Sequence, residues 1–201
     1  MAYSKLHIQL VPIGNLDEKF LLDFKEEFQK LIYGTVGIDV LCFFNRINPD
    51  KASEDKILIN RIPSTAYNPN IGKYNTQSLF LVGKKIKQET LRWQKSSTLL
   101  KILLLIDFDI YREGYDGVLF GEAEKGGDIA IVSIANLKDS FKDPFLRKDE
   151  AIKVALHAFG YLLGLDDCNT PGCAMSTAKT AKDIDKRNKA YCKDCLDKLF
   201  Y

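Results

Sequence analysis

The chain has 201 residues, 46% of them hydrophobic, and its 29 Lys and Arg residues stand against 27 Asp and Glu residues, a formal net charge of +2. This length suits one domain with a substantial core and is short for two. The small charge favours neither a nucleic-acid ligand nor a membrane surface, and no segment approaches the ~18 consecutive apolar residues of a membrane span. The N-terminal segment lacks the features of a signal peptide, so we expect a soluble protein of the cytoplasm.

Strands and helices are predicted to alternate in the first half of the chain. Residues 5–13 alternate apolar and polar side chains and stop near Pro12 and Gly14, which is typical of a strand. Residues 17–31 place their phenylalanines and leucines on one helical face and their charges on the other. The β-branched and aromatic segment 35–44 predicts a second strand, and the proline-containing segment 45–74 predicts an irregular connection.

The second half continues the alternation. A helix is predicted over residues 75–94, a buried strand over 99–110, and further strands around 117–124 and 128–137. Asp143 and Pro144 have the pattern of a helix N-cap followed by a first-turn proline, and Gly164 suits the C′ position that ends this helix. The order predicts an α/β (α+β) fold, followed after Gly164 by a loop and a final short helix.

Four of the five cysteines form two closely spaced pairs near the C-terminus. Cys168 and Cys173 enclose four residues, Cys192 and Cys195 enclose two, and residues 174–191 separate the pairs. In a reducing compartment such pairs favour a tetrahedral zinc site over disulfides, although two disulfides or free buried thiols remain alternatives. Four protein ligands leave no position for water or substrate, so this zinc would be structural.

Residues 157–175, HAFGYLLGLDDCNTPGCAM, together with the later CKDC, resemble the archaemetzincin family of zinc peptidases. Metzincins carry H-E-x-x-H-x-x-G-x-x-H before a Met-turn, and in archaemetzincins C-x4-C-x-M and a later C-x2-C follow the third histidine. The segments FGEAE and IAIVSIANL also resemble strands of that family. The resemblance implies a metzincin-like mixed twisted sheet with a long active-site helix, a structural zinc on the four cysteines, and Met175 in the Met-turn.

This likeness also implies how the chain is organised. We expect residues 1–201 to form a single archaemetzincin-like domain. Its sheet-and-helix part would cover residues 1–164, and a C-terminal part, residues 165–201, would be stabilised by the zinc ion on the cysteines.

The chain departs from the family pattern at three positions of the catalytic motif. His157 matches the first zinc ligand, whereas Ala158 stands in place of the general-base glutamate, Tyr161 in place of the second histidine and Asp167 in place of the third. One imidazole holds zinc weakly, and a phenol with a pKa near ~10 is a poor ligand. A lost general base alone typically costs about 10²–10⁴ in rate. We therefore expect one structural zinc ion, no catalytic zinc ion and no proteolysis by the family mechanism.

Each of these residues also has a simpler interpretation. Tyr161 can fill the volume of a histidine and a metal, with its hydroxyl bonded to His157 or Asp167. Met175 is then a core methionine, and Asp167 is half of a solvated loop pair with its neighbour. Ala158 is a substitution that laboratories use to silence such enzymes, but Tyr161 and Asp167 are not, which favours a natural origin.

Three functions remain in competition. The first is an inactive peptidase homologue that binds a peptide or protein by strand addition along residues 117–124. The second is an atypical metallohydrolase that uses His157, Tyr161 and Asp167 with a base at Glu122 or Glu124. The third is a nucleic-acid or protein-binding module, suggested by seven Lys and Arg residues against four Asp residues over 176–198. Such runs are usually solvated faces, so a nucleic-acid partner is not expected, nor is a membrane.

Overall fold

A computed structural model describes residues 5–36, 39–44, 62–93, 99–137 and 144–200. Most of the predicted irregular connection, residues 45–61, and the expected N-cap Asp143 lie outside these ranges. Among the described residues, no helix is both long enough and apolar enough to cross a membrane.

The strands form two sheets. The described part of the chain contains eight strands: β1 (Lys5–Ile13), β2 (Asp39–Phe44), β3 (Tyr67–Asn68), β4 (Lys73–Asn75), β5 (Leu99–Ile106), β6 (Ile110–Tyr111), β7 (Gly121–Ala123) and β8 (Ile129–Ser133). The main sheet has the order β2-β1-β5-β8-β7, and its first four strands are parallel while β7 runs antiparallel to β8 at the edge. The small sheet has the order β3-β4-β6. The mixed sheet that the sequence predicts is confirmed.

Five α-helices occur in the described ranges, three of them packed on the main sheet and two in the C-terminal segment. They are α1 (Glu18–Val36), α2 (Thr76–Trp93), α3 (Pro144–Leu162), α4 (Ala181–Asp185) and α5 (Lys193–Phe200). The core lies on both faces of the sheet, because β5 is apolar on both sides: Leu103 and Leu105 pack with α1 and α3, whereas Ile102 and Leu104 pack with α2. The cysteine-containing segment joins the α1 and α3 side of this core.

Several predicted boundaries are wrong. The strands expected over 99–110 and 128–137 end at Ile106 and Ser133, and the expected irregular connection contains β3 and β4. Thr35 and Val36, expected in the second strand, belong to α1, and the Thr35 hydroxyl donates to the Leu31 carbonyl at 2.8 Å, as helical Thr side chains do. The strand expected over 117–124 has only three residues, Gly121–Ala123. Side-chain periodicity identifies an element but not the residue at which its hydrogen bonds stop.

The chain reverses direction at the end of α3, next to the functional site. Gly164 has a φ of 92°, its N–H bonds to the Tyr161 carbonyl at 2.9 Å, and the N–H of Leu165 bonds to the Gly160 carbonyl at 2.9 Å. These two bonds are those of a Schellman motif, in which glycine accepts the left-handed conformation without a Cβ clash. The chain reverses here, so that Asp167 returns to the side chain of Tyr161.

Candidate functional site

His157 lies on α3 with one ring nitrogen committed to the backbone. Its Nδ1 is 3.0 Å from the Ala174 carbonyl oxygen, which can only accept, so Nδ1 carries the proton and Nε2 presents a lone pair. Burial, with a smaller effect from the charge of Arg187, lowers the pKa of His157 to about 4 against the opposing influence of Ala174 and Asp167. The imidazole is therefore neutral at physiological pH.

Tyr161 and Asp167 form a hydrogen-bonded pair beside this imidazole. The Tyr161 hydroxyl donates to Oδ1 of Asp167 at 2.7 Å, and its ring meets the His157 ring edge-on with centroids 5.1 Å apart. Nε2 of His157 lies 3.8 Å from the same Oδ1, too far for a hydrogen bond. Burial raises the pKa of Tyr161, and its bond to the Asp167 carboxylate raises it further. Of the two partners expected for this hydroxyl, the structure selects Asp167.

These residues line a cavity of about 390 Å³ between α3 and β7, here called the His157 cleft. Ala158 is 3% exposed and contributes a methyl group to the wall. Of the two glutamates considered as a substitute base, Glu122 lines the cleft and lies 3.4 Å from Arg112, with its second oxygen buried and without a hydrogen-bond partner among the described residues. Glu124 is not in the lining and pairs with Lys84 at 2.7 Å.

The cleft also contains Arg187, which the sequence did not single out. Its side chain is 5% exposed, although the charged segment 176–198 was expected to be a solvated face; for this residue that expectation is wrong. Burial lowers the pKa of Arg187 to about 10, and the nearby Asp167 and Tyr161 oppose this effect. No local sequence signal indicates the burial, because it results from packing between distant segments.

Met175 lies directly beneath α3. It is fully buried, and a Cβ atom added to Gly160 would collide with the Met175 sulfur and press on the Tyr191 ring. Tyr191 in turn donates its hydroxyl to the Leu156 carbonyl at 2.6 Å. The glycine therefore allows the turn that carries Met175 to pack closely against the helix below His157.

The four cysteines come together on the other side of this turn. Their sulfurs all lie within 4.8 Å of one another, with Cys168 and Cys192 3.7 Å apart and Cys173 and Cys195 3.8 Å apart. Zn–S bonds of about 2.3 Å in a tetrahedron separate sulfurs by about 3.8 Å, so the arrangement fits zinc. All four are free thiols, as is Cys42, whose pKa burial raises to about 12. The backbone N–H groups of Thr170, Met175 and Cys192 bond to cysteine sulfurs of the cluster.

The mixed sheet with an antiparallel edge strand along a cleft, the histidine-bearing helix and the cysteine cluster that fits zinc together resemble the architecture of the zinc metallopeptidases. The chain belongs to peptidase family M54, whose sequence model matches residues 54–200. The archaemetzincin of Methanocaldococcus jannaschii is 30% identical over 199 residues, which cover 96% of this chain and 93% of the relative. That of Pyrococcus furiosus is 28% identical and covers 96% and 91%.

Solved structures share the fold. The archaemetzincin of Methanopyrus kandleri aligns with a TM-score of 0.72 at 24% identity, covering 98% of this chain and 94% of the other. A zinc-dependent peptidase from Methanocorpusculum labreanum aligns with a TM-score of 0.73 at 20% identity, covering 96% and 99%. The predicted archaemetzincin family and fold are thus confirmed.

Proposed function

We propose that this chain is an archaemetzincin homologue without peptidase activity, which keeps one structural zinc ion on its four cysteines and binds extended peptides in the His157 cleft. The degenerate positions are Ala158, Tyr161 and Asp167. The observation that carries the proposal is the bond from the Tyr161 hydroxyl to Asp167, because it occupies both side chains that would have to complete a metal site with His157.

The chemistry of the cleft opposes catalysis at two further points. A Tyr161 ligand would have to be a phenolate, and burial together with the adjacent carboxylate raises the pKa of this group. The Ala158 methyl group cannot accept a proton from an attacking water. Peptide hydrolysis by a metal-bound water would need both functions at once.

Zinc on the cysteine cluster is proposed to be structural. Cys168, Cys173, Cys192 and Cys195 would be its ligands, with no position left for a substrate, and Met175 would serve as the Met-turn that links the cluster to α3. We further propose that residues 1–201 act as one domain, in which this ion stabilises the part after Gly164. A site of four reduced thiols also suits the cytoplasm as its location.

Peptide binding is proposed for the edge strand β7. Gly121, Glu122 and Ala123 all line the cleft, and among the described residues only β8 pairs with this strand, along one edge. The other edge can accept the backbone of an extended peptide by strand addition. Because β7 has three residues, backbone pairing would be brief and side-chain contacts in the cleft would have to supply much of the affinity.

Zinc content and hydrolysis test the proposal together. Protein purified without added metal or chelator is expected to contain one zinc per chain and to leave a fluorogenic peptide library uncleaved. A second zinc ion, or cleavage that chelator and His157→Ala both abolish, would contradict the loss of catalysis. Lys186→Gln, a change on the exposed surface outside the cleft lining, provides a matched purification control.

The atypical metallohydrolase remains the second candidate because one observation favours it. Glu122 presents a buried carboxylate oxygen to the same cleft as the Nε2 lone pair of His157. If this glutamate acts as the base, Glu122→Gln should abolish any chelator-sensitive cleavage. Glu124→Gln, which changes the neighbouring glutamate outside the cleft, should leave that cleavage unchanged.

A further inference from the structure

Arg187 is a buried cation for which the described part of the chain provides no ion-pair or hydrogen-bond partner. It follows α4, its backbone N–H bonds to the Ile184 carbonyl at 3.0 Å, and its side chain extends into the lining of the His157 cleft. The side chain is 5% exposed, and its buried Nε has no hydrogen-bond partner among the described residues. Nor does its guanidinium take part in an ion pair within the described ranges, although Asp167 and Tyr161 influence its charge from a distance.

Such an arrangement is unusual for an arginine. Buried charges are normally paired and hydrogen-bonded, since an unpaired ion loses its hydration without compensation. Even after burial, Arg187 keeps a pKa of about 10 and stays charged at neutral pH. Of the two carboxylates that act on its charge, Asp167 already accepts the Tyr161 hydroxyl and is half-exposed to solvent, and Asp183 is bonded to Thr180 and Lys186.

The other charged side chains of the cleft do not supply an anionic partner for Arg187. Four cationic side chains line it against two carboxylates, and the cations are Arg112, Lys125, Lys179 and Arg187. Arg112 pairs with Glu122, one of those two carboxylates, and Lys125 pairs with Asp166 just outside the lining. The cleft therefore has an excess of positive charge, and the buried cation among these four is the Arg187 guanidinium.

We propose that Arg187 binds a carboxylate group that enters the His157 cleft. A guanidinium presents two parallel N–H groups to the two oxygens of a carboxylate, which makes this pairing both strong and directional. The inference deepens the proposed peptide binding and rests on it for the natural ligand: the carboxylate would belong to the C-terminus of a peptide or to an acidic side chain. Both sources offer the same chemistry, and the cleft wall at β7 would hold the adjacent backbone.

A different role for Arg187 would be to offset charge on the cysteine cluster. Four thiolates around Zn²⁺ carry a net charge of −2, and Cys173 is among the groups that influence the Arg187 charge. In that role the arginine would respond to zinc but not to added carboxylate. The two roles can therefore be separated by experiment.

The first experiment observes the Nε–Hε signals of arginine by ¹⁵N NMR in the zinc-loaded, full-length protein. Acetate is titrated against chloride at constant ionic strength, and the Arg187 signal is identified by its loss in Arg187→Lys. A saturable shift of this signal with acetate is expected. If it does not move, the proposal is wrong, and a shift of the same signal on removal of zinc would assign Arg187 to the cysteine cluster instead. The titration is made on the wild-type protein, so Arg187→Lys is the only variant that must fold for this experiment.

Variants then measure the contribution of the guanidinium. Arg187→Gln is expected to weaken carboxylate binding about tenfold or more, the loss of a charge-assisted hydrogen bond from a buried site. Arg187→Lys keeps the charge but loses the two parallel N–H groups, so its affinity for carboxylate should lie between those of the wild type and Arg187→Gln. Lys186→Gln removes the same charge one residue away, on a side chain 75% exposed and outside the cleft, and should change affinity little. Zinc content and melting temperature check that each variant remains folded.

Peptides decide the source of the carboxylate. A library is synthesised in three forms, with a free C-terminus, with an amidated C-terminus, and amidated with one internal Asp or Glu. Preference for the first form assigns the C-terminus, and preference for the third assigns an acidic side chain. Equal binding of all forms would leave the proposed peptide binding intact and overturn the carboxylate role. If acetate binds but no peptide does, the carboxylate role of Arg187 stands and the proposed peptide binding is wrong.

Discussion

The cysteine cluster and the His157 cleft are neighbours in the chain, since Asp167 directly precedes Cys168, yet their chemistry differs. The cluster brings four sulfurs within 4.8 Å of one another and fits a tetrahedral metal. The cleft contains one neutral imidazole, a phenol bonded to a carboxylate, and a methyl group. The cluster thus has every group that a zinc ion needs, while the cleft has only one good ligand.

The difference follows from what each region contributes to the fold. Cys173, Cys195 and Met175 are buried in the same core as α1 and α3, so a metal on the cluster would be coupled to folding. Tyr161 is only partly buried against that core and Asp167 is half-exposed, so other side chains of suitable volume at these two positions should disturb the core less. A fold can thus lose the chemistry of its cleft and retain its architecture.

The largest effect is expected from the cluster itself. Cys173→Ser should remove zinc and unfold the C-terminal segment, because structural zinc supplies about 10–16 kcal/mol of apparent binding energy to small metal-dependent folds. Zinc analysis and thermal unfolding measure both consequences. The control is Cys42→Ser, which changes another buried thiol, 3% exposed, outside the cluster and should keep its zinc. Equal behaviour of the two variants would contradict the four-thiolate site.

The second effect is expected from restoring the family motif in the cleft. The triple change Ala158→Glu, Tyr161→His and Asp167→His supplies three imidazoles and a base, so zinc should rise from one to two per chain. Arg187 lines the same cleft and opposes a second cation by its charge, so adding Arg187→Gln should strengthen that binding. Ala158→Glu alone serves as the control and should leave zinc at one. If the triple variant still binds a single ion, the three substitutions are not what excludes the second.

A third, smaller effect concerns pH. The pKa of His157 is lowered from 6.5 to about 4 in the folded protein. Between pH 6.5 and pH 4 the unfolded chain therefore binds a proton at this residue that the folded chain does not bind. Stability from this residue is present above pH 6.5 and is lost as pH falls towards 4, by up to about 3 kcal/mol. The measurement is the free energy of unfolding against pH for the wild type and His157→Gln. Zinc release in acid affects both proteins, so the difference between their curves isolates the imidazole; parallel curves would exclude its contribution.

The smallest effect joins the two regions through Gly160. Gly160→Ala should destabilise the protein by about 1–3 kcal/mol, because its methyl group would collide with the Met175 sulfur beneath the helix. The matched change Gly34→Ala in α1 meets no atom within 4 Å and should stabilise by about 0.5–1 kcal/mol through helix propensity. Thermal or urea unfolding gives both values. A neutral Gly160→Ala would mean that the methionine turn can shift away from α3.

Local patterns in the sequence were enough to predict several elements and one site. The apolar face of α1 and the continuous apolar run of β5 gave their positions, because a core requires those periodicities. Gly164 marked the end of α3, since few other residues adopt its positive φ. The spacing of the four cysteines indicated a shared metal, since each short loop brings two ligands together without help from the rest of the fold.

Other features depended on contacts between distant segments, and only the tertiary structure decided them. Thr35 and Val36 have strand propensity, yet they form the last residues of α1. The strand order, with β7 at the edge of the cleft, follows from pairing that no local pattern records. Arg187 was one of seven basic residues in a charged segment, and it became a buried group of the cleft because α4 and the reversal after Gly164 bring it beside Tyr161 and Asp167. Side-chain periodicity specifies which face is buried, whereas the partners on that face are set by the closure of the whole chain.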